Sequence, residues 1–200
     1  MKIEIIMVAY ERYEELEIAI RCFRLQSNPN WVLHIVYDGK APERIVDIIT
    51  PYMPGGNKED GRVHFYESPE RYQKYGHPNR RSMLQAIECD PNDFILMTND
   101  DNYYVPKYVE YMLKAVDNRT GIVYCNTVHS HFEYNLNSSE LRENAIDMGA
   151  FMVRADVAKQ TGFNHDHFSA DGTYAEECVR TCQYKGLKMT KVHKPLFIHN

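Results

Sequence analysis

KIEIIMVAYERYEELEIAIRCFRLQSNPNWVLHIVYDG, residues Lys2–Gly39, changes periodicity twice. Lys2 to Ala9 is a short apolar run rich in isoleucine, the pattern of a strand buried on both faces. From Tyr13 to Leu25 the apolar residues Leu16, Ala19, Ile20 and Phe23 recur at helical spacing, and Asn28-Pro29 closes the segment. Trp31 to Tyr37 is a second apolar strand, stopped by Asp38-Gly39. Two buried strands joined by an amphipathic helix define a parallel β-α-β unit and therefore an α/β layered fold.

The same alternation continues. A helix is predicted over Pro42–Tyr52, a short strand over Val63–Tyr66, a helix over Arg81–Cys89, a buried strand over Asp93–Thr98 and a helix over Pro106–Val116. Beyond that the pattern loosens. Gly121–Phe132 reads as one or two strands, Asn135–Ser139 as a loop and Asp147–Val153 as a strand. Tyr174–Tyr184 then reads as a helix and Leu187–Val192 as a last strand. There is no repeat, linker or low-complexity segment, so one domain over residues 1–200 is expected. Its regular half, about 1–102, reads as nucleotide-binding, and its second half, about 103–200, is more irregular.

Composition narrows the class. The 200 residues are 44% hydrophobic and 26% charged, an ordinary globular mixture, with 23 Lys+Arg against 28 Asp+Glu and a formal net charge of −5. An acidic chain is poorly suited to phosphate neutralisation along nucleic acid, so no nucleic-acid partner is expected. Cys22, Cys89, Cys125, Cys178 and Cys182 are scattered and odd in number, which suits free thiols in a reducing, cytoplasmic compartment. No apolar run approaches a transmembrane length, so a soluble protein is expected.

Ligands of open α/β sheets bind beyond the carboxyl ends of the strands. Tyr10, Glu11 and Arg12 follow the first strand, Asp38-Gly39 the second and Asn99-Asp100-Asp101-Asn102 the Asp93–Thr98 strand. Adjacent carboxylates repel unless a cation or donors hold them, and hard oxygen ligands suit Mg²⁺ or Mn²⁺. The same residues also make an ordinary polar turn ahead of a helix. Arg71–Arg81 is a local basic stretch leading into a helix start, where phosphate oxygens are favoured; its tyrosines leave RNA stacking as an alternative. The P-loop, the dinucleotide glycine fingerprint and the nucleophile elbow are all missing. His129-x-His131 and His165-x-His167 have metal-ligand spacing, but in a chain with nine histidines such pairs arise easily.

Four segments, in order, resemble family 2 glycosyltransferases. VAYERYEELEIAIRCFRLQSNPNWVLHIVYDG is similar to the family's opening strand, helix and Asp-Gly-terminated strand. TNDDNYYVPKYVEYML is similar to its acidic DxD-type segment, and DMGAFMVRADVAKQTGF to its acceptor-side glycine segment, whose helix leads to Gly-Phe. DGTYAEECVRTCQYKGLKMTKV is similar to the acidic residue, helix, glycine and strand that close the catalytic domain.

This resemblance implies a GT-A-type, Rossmann-like α/β/α sandwich with a mostly parallel central sheet and a more irregular acceptor side. It implies an inverting, metal-dependent transferase that moves a hexosyl or deoxyhexosyl group from a nucleotide-diphosphate donor, most often a UDP-sugar, to a glycan or other hydroxyl acceptor. A non-catalytic nucleotide-sugar or glycan-binding domain of the same fold is the alternative. The donor contacts carry over to Ala9, Tyr10, Arg12, Asp38, Asn79, Arg80, Arg81, Asn99 and Asp100. The family's first-strand proline and asparagine are replaced here, by Val8 or Ala9 and by Glu11. Aligned on Tyr103 and Pro106, Asp101 is the metal ligand; read locally, Asp100-x-Asn102 is the pair. His199, behind the last strand, matches a histidine that supplies a metal ligand in related enzymes. The general base is expected at Asp171, with Glu176 the alternative and a simple helix cap the bland reading of Asp171. The chain stops at Asn200, which suits a piece of a longer multidomain chain as well as a short enzyme.

Overall fold

The computed structural model describes residues 1–200. β1 (Ile3–Ala9) is buried along its whole length. α1 (Tyr13–Arg24) packs Leu16, Ala19, Ile20 and Phe23 inward, with Glu14 and Glu15 in its first turn and Arg21 and Arg24 in its last, both favourable to the helix dipole. β2 (Trp31–Tyr37), α2 (Glu43–Ile49) and β3 (Val63–Glu67) follow, then α3 (His77–Ala86), β4 (Phe94–Asn99), β5 (Tyr103–Tyr104) and α4 (Tyr108–Lys114). β6 (Thr120–His129), β7 (Asn135–Asn137), β8 (Phe151–Arg154), α5 (Ala155–Thr161), α6 (Ala170–Tyr184) and β9 (Lys188–His199) complete the chain.

One nine-stranded sheet runs β3-β2-β1-β4-β8-β6-β9-β5, with β7 on β6. The β3-β2-β1-β4 half is entirely parallel. The other half is antiparallel at β4-β8, β6-β8, β6-β7 and β5-β9, and parallel only at β6-β9. The parallel character predicted from the first half thus stops at β4. No helix is long and apolar enough to cross a membrane.

Several boundaries move. The helix expected from Arg81 begins at His77, because Pro78 suits a first helical turn and Gly76 supplies the left-handed entry, at φ 76°. A Cβ on Gly76 would lie 2.5 Å from Val8 Cγ1, so glycine is required there on packing grounds as well. The shift puts Arg80 on the buried side of a helix. Asn135–Ser139 is not all loop, since Asn135–Asn137 pairs with the end of β6. Asp147–Val153 divides into a 3-10 turn (Met148–Ala150) and β8. α6 starts four residues before the predicted Tyr174, which brings Asp171 into its first turn. β9 runs on beyond Val192 to His199, held by β6 along its length and by β5 at its end.

Candidate functional site

β1, β2 and β4 run parallel and end together, so Ala9-Tyr10, Asp38 and Asn99-Asp100 meet at one edge of the sheet. There they line a cleft of about 540 Å³ with Arg12 and the Arg71–Gly76 segment. Asp38 is buried and held by three donors: the N–H groups of Tyr72 (2.9 Å) and Gln73 (3.0 Å) and the Asn79 amide (2.8 Å). Asn79 is therefore a support behind Asp38 rather than a wall of the cleft. The Arg71 guanidinium lies 3.8 Å from the centre of the Tyr10 ring, and Tyr10 also packs on Tyr37. Gln73, Lys74 and Tyr75 all have positive φ (59°, 47° and 58°), a strained run at the mouth of the cleft.

The acidic pair stands at the end of β4. Asp100 accepts the Tyr10 N–H at 3.0 Å, and Arg12 Nη1 reaches both Asp100 Oδ1, at 3.4 Å, and Asp101 Oδ2. Burial pushes the Asp100 carboxyl up to about 7 despite those donors, and burial raises Asp101 as well. Asp101 Oδ1 is buried with no partner. Two carboxylates closing on one guanidinium, with an oxygen left over, form a donor set that fits a divalent cation. Asn102, the ligand of the alternative register, is buried beside them: its amide N–H donates to Thr98 Oγ1 at 3.2 Å, and its Oδ1 has no partner.

A second cleft, of about 410 Å³, opens on the other side of Asn99 and Tyr75, which line both. Its walls include Arg80, Asp147, Phe168, Asp171 and the histidines 129, 131 and 199. Arg80 is buried; it donates to the Tyr75 carbonyl (2.6 Å), to His77 Nδ1 (3.0 Å) and to Asn99 Oδ1, so it braces the partition between the clefts. Burial pushes Arg80 down to about 10 and His77 down to about 4, the latter aided by the Arg80 charge. Arg81 is elsewhere. It donates to the Phe163 carbonyl and to Asp166, both at 2.8 Å, tying α3 to the loop ahead of α6.

Asp171 accepts only the N–H of its neighbour Gly172, at 2.9 Å, and burial pushes its carboxyl up to about 6. It lies inside the first turn of α6 and is not the cap, a position held by Ser169. Glu176, one and a half turns further on, accepts the Glu143 N–H at 2.9 Å and lines neither cleft. His199 ends β9, next to Asn200, whose amide donates to the Asp101 carbonyl at 2.8 Å. Its ring packs with His129 and His131. His165, by contrast, pairs with Glu177 at 2.9 Å. Tyr75 belongs to the Arg71–Arg81 stretch read from the sequence, whereas Asp147 and Phe168 carry no sequence signal of a site, because isolated residues outside regular elements have no periodicity.

A mixed α/β sheet with ligand-sized clefts at the strand ends and an acidic turn between them is the arrangement of GT-A, Rossmann-like glycosyltransferases. The family model described as Glycosyl transferase family 2 matches residues 4–174, and the chain belongs to that family. Its fold is similar to that of S. aureus TarS 1-349 in complex with UDP (TM-score 0.77, 12% identity, 99% of this chain and 60% of that one). The same protein in complex with UDP-GlcNAc gives TM-score 0.77 and 13% identity, over 99% of this chain and 58% of that one. The mannosyltransferase PcManGT from Pyrobaculum calidifontis, in complex with GDP-Man and Mn²⁺, gives TM-score 0.70 and 11% identity, over 99% and 56%. The chain thus spans less than two thirds of these proteins.

Proposed function

We propose that this chain is an inverting glycosyltransferase domain that moves a sugar from a nucleotide-diphosphate donor to an acceptor hydroxyl. A UDP-sugar is the first donor to consider, and a glycan the first acceptor; hexosyl or deoxyhexosyl transfer is the expected reaction. The observation that carries this reading is the pair of clefts divided by Arg80 and Asn99. An acidic strand end stands on one side; on the other, Asp171, its pKa raised by burial, shares its cleft with Asp147. The nucleotide and nucleotide-sugar complexes of TarS and PcManGT support it.

On the donor side, the base would stack beside the Tyr10–Arg71 pair, and Asp38 would accept a hydrogen bond from its polar edge. Arg12 and Lys74 would meet the phosphates, and Asn99 and Asp100 the sugar end of the donor. Asp101, with Asp100 beside it, would hold Mn²⁺ or Mg²⁺, the place that Arg12's guanidinium now occupies; His199 adjoins them through Asn200. When bound, such an ion stabilises the charge that grows on the leaving diphosphate. On the acceptor side, Asp171 takes the proton of the attacking hydroxyl. An ordinary aspartate is a weak base, and a pKa raised by burial to about 6 brings Asp171 closer to the optimum for proton transfer near neutral pH. Attack from the side opposite the diphosphate inverts the anomeric carbon. The free thiols of all five cysteines fit a reducing, cytoplasmic location.

The test is a screen of UDP-, GDP- and dTDP-sugars with and without Mn²⁺, following release of nucleoside diphosphate. Slow donor hydrolysis or transfer that needs the metal supports the enzyme. Tight binding with no turnover across an acceptor panel would make the chain a nucleotide-sugar-binding module. Asp101→Ala should remove Mn²⁺-dependent UDP binding in calorimetry while leaving Tm nearly unchanged, because the side chain sits in a loop. Equal binding by the variant would take the metal away from Asp101.

A further inference from the structure

We propose that Asp147 is a positioning residue for the divalent-metal centre: its carboxylate takes the Nδ1 hydrogen of His199 and leaves Nε2 as the nitrogen for the ion. This role rests on the reading of Asp101 and His199 as metal ligands. The fold assembles the parts from distant places in the chain. β5 pairs with the end of β9, Tyr103 opposite Ile198, so His199 stands against the turn that carries Asp101. There the charges of His199 and Asp101 act on one another. On the other edge of β9, His129 at the end of β6 is in register with His199, and the two rings meet edge to face at 4.9 Å.

Asp147 reaches both of those rings. Its Oδ2 accepts a hydrogen bond from His129 Nε2 at 2.9 Å, and its Oδ1 stands 3.5 Å from His199 Nδ1. His129 thus fixes the carboxylate, and the second oxygen is left over for His199. His199 Nδ1 is buried with no hydrogen-bond partner, and a small rotation of the ring would bring it onto Asp147 Oδ1. A buried ring nitrogen without a partner is costly, which favours that rotation.

A metal-binding histidine commonly donates its other ring N–H to a carboxylate, which fixes the tautomer and the ring orientation and raises the basicity of the ligating nitrogen. With the hydrogen on Nδ1, the lone pair lies on Nε2. His129 serves as the anchor behind Asp147 and not as a ligand. Asp147 lines the acceptor-side cleft and not the donor cleft, so its replacement leaves Tyr10, Arg12 and Asp38 in place.

The experiment titrates Mn²⁺ into the full chain at saturating UDP and reads the bound ion from loss of the free-ion electron paramagnetic resonance signal. UDP affinity without metal and Tm are measured alongside. Asp147→Leu keeps the volume but can accept from neither ring, and it should weaken Mn²⁺ by about 10–100-fold, the usual cost of losing a ligand's carboxylate support. Metal-free UDP affinity should not change. His129→Phe removes the donor that fixes Asp147 and should weaken Mn²⁺ in the same direction. Asp101→Ala and His199→Ala, which remove ligands, should cost more than ~100-fold. Wild-type Mn²⁺ affinity in both Asp147→Leu and His129→Phe overturns the role, and either variant decides alone if the other does not fold. A loss in Asp147→Leu as large as that in Asp101→Ala makes Asp147 a ligand and overturns it too, as does a parallel fall in metal-free UDP affinity. If Asp101→Ala and His199→Ala also bind Mn²⁺ like wild type, the reading of the metal ligands fails; if they lose the ion while Asp147→Leu keeps it, only the positioning role falls.

Discussion

The two sides of the cleft system differ in how their polar groups are satisfied. On the β1-β2-β4 side, Asp38 has three donors, and Asp100 has the Tyr10 N–H and Arg12. On the β6-β9 side, Asp171 has one donor from its own helix turn, and two histidine nitrogens have none. Exposed rings stand there too: Phe168 is 80% accessible and Tyr75 61%, and they meet edge to face at 5.8 Å. Fixed backbone N–H groups, of Tyr10 just past β1 and of Tyr72 and Gln73 in the loop ahead of α3, hold these carboxylates, so the first side is organised before anything binds. The second side is built from the ends of β6 and β9, loops and one helix start, and leaves polar groups unpaired.

The sharpest way to break this comparison is at Asp171. Asp171→Asn keeps the shape and the Gly172 contact but cannot take a proton. Transfer should fall by at least ~10²-fold, the usual scale of general-base loss, with donor affinity near normal. Glu176→Gln should have little effect, because Glu176 is outside both clefts. If Glu176→Gln is the crippled variant, the acceptor side has been misread. In wild type, kcat/KM should decline as pH drops through about 6, where Asp171 becomes protonated.

Asp38→Ala probes the pre-organised side. It leaves the buried Asn79 amide without an acceptor and frees two backbone donors. A buried donor left unpaired costs about 1–3 kcal/mol, so unfolding should come roughly 2–12 °C earlier, with UDP binding weakened as well. A Tm within a degree of wild type would mean that this side is no better organised than the other.

Asp171→Asn should have the opposite sign in a thermal melt. The folded protein holds the Asp171 proton up to about pH 6, whereas the unfolded chain releases it near the ordinary aspartate value of 3.8. Folding therefore binds an extra proton in that window, and stability falls as pH rises across it. The amide escapes this loss. The variant should melt higher at pH 7 by ~2–4 °C, an effect of order 1 kcal/mol after solvent screening, and the gain should vanish near about pH 4. A residue whose removal stabilises the fold while stopping the reaction is one retained for function.

The smallest effect belongs to the open rim. Phe168→Ala removes a ring that packs against little but Tyr75. If an acceptor half-buries it, about 1 kcal/mol is at stake, or roughly fivefold in acceptor KM. Neither kcat nor Tm should move. An unchanged KM across acceptors would remove Phe168 from the acceptor surface.

The contrast between the two sides also separates what was legible in the sequence. Residues 2–39 determine β1, α1 and β2 nearly to the residue, because strand and helix periodicities are local and these elements are buried along one face or both. Strand ends follow from strands, so Tyr10, Arg12, Asp38 and Asp100 could be placed at the cleft edge of the sheet from order alone. Tertiary structure decided the rest. Arg80 became a buried brace and Arg81 a loop tie once α3 began at His77, a shift set by Gly76 packing on Val8. Asp171 and Glu176 are equally acidic in sequence, and only the direction each takes from α6 separates them. The histidines at 129, 131 and 199 become one cluster because β6 and β9, far apart in the chain, run side by side. Local periodicity reports which residues are buried; it carries no information on which distant strands become neighbours, and the second cleft depends on such a pairing, that of β6 with β9.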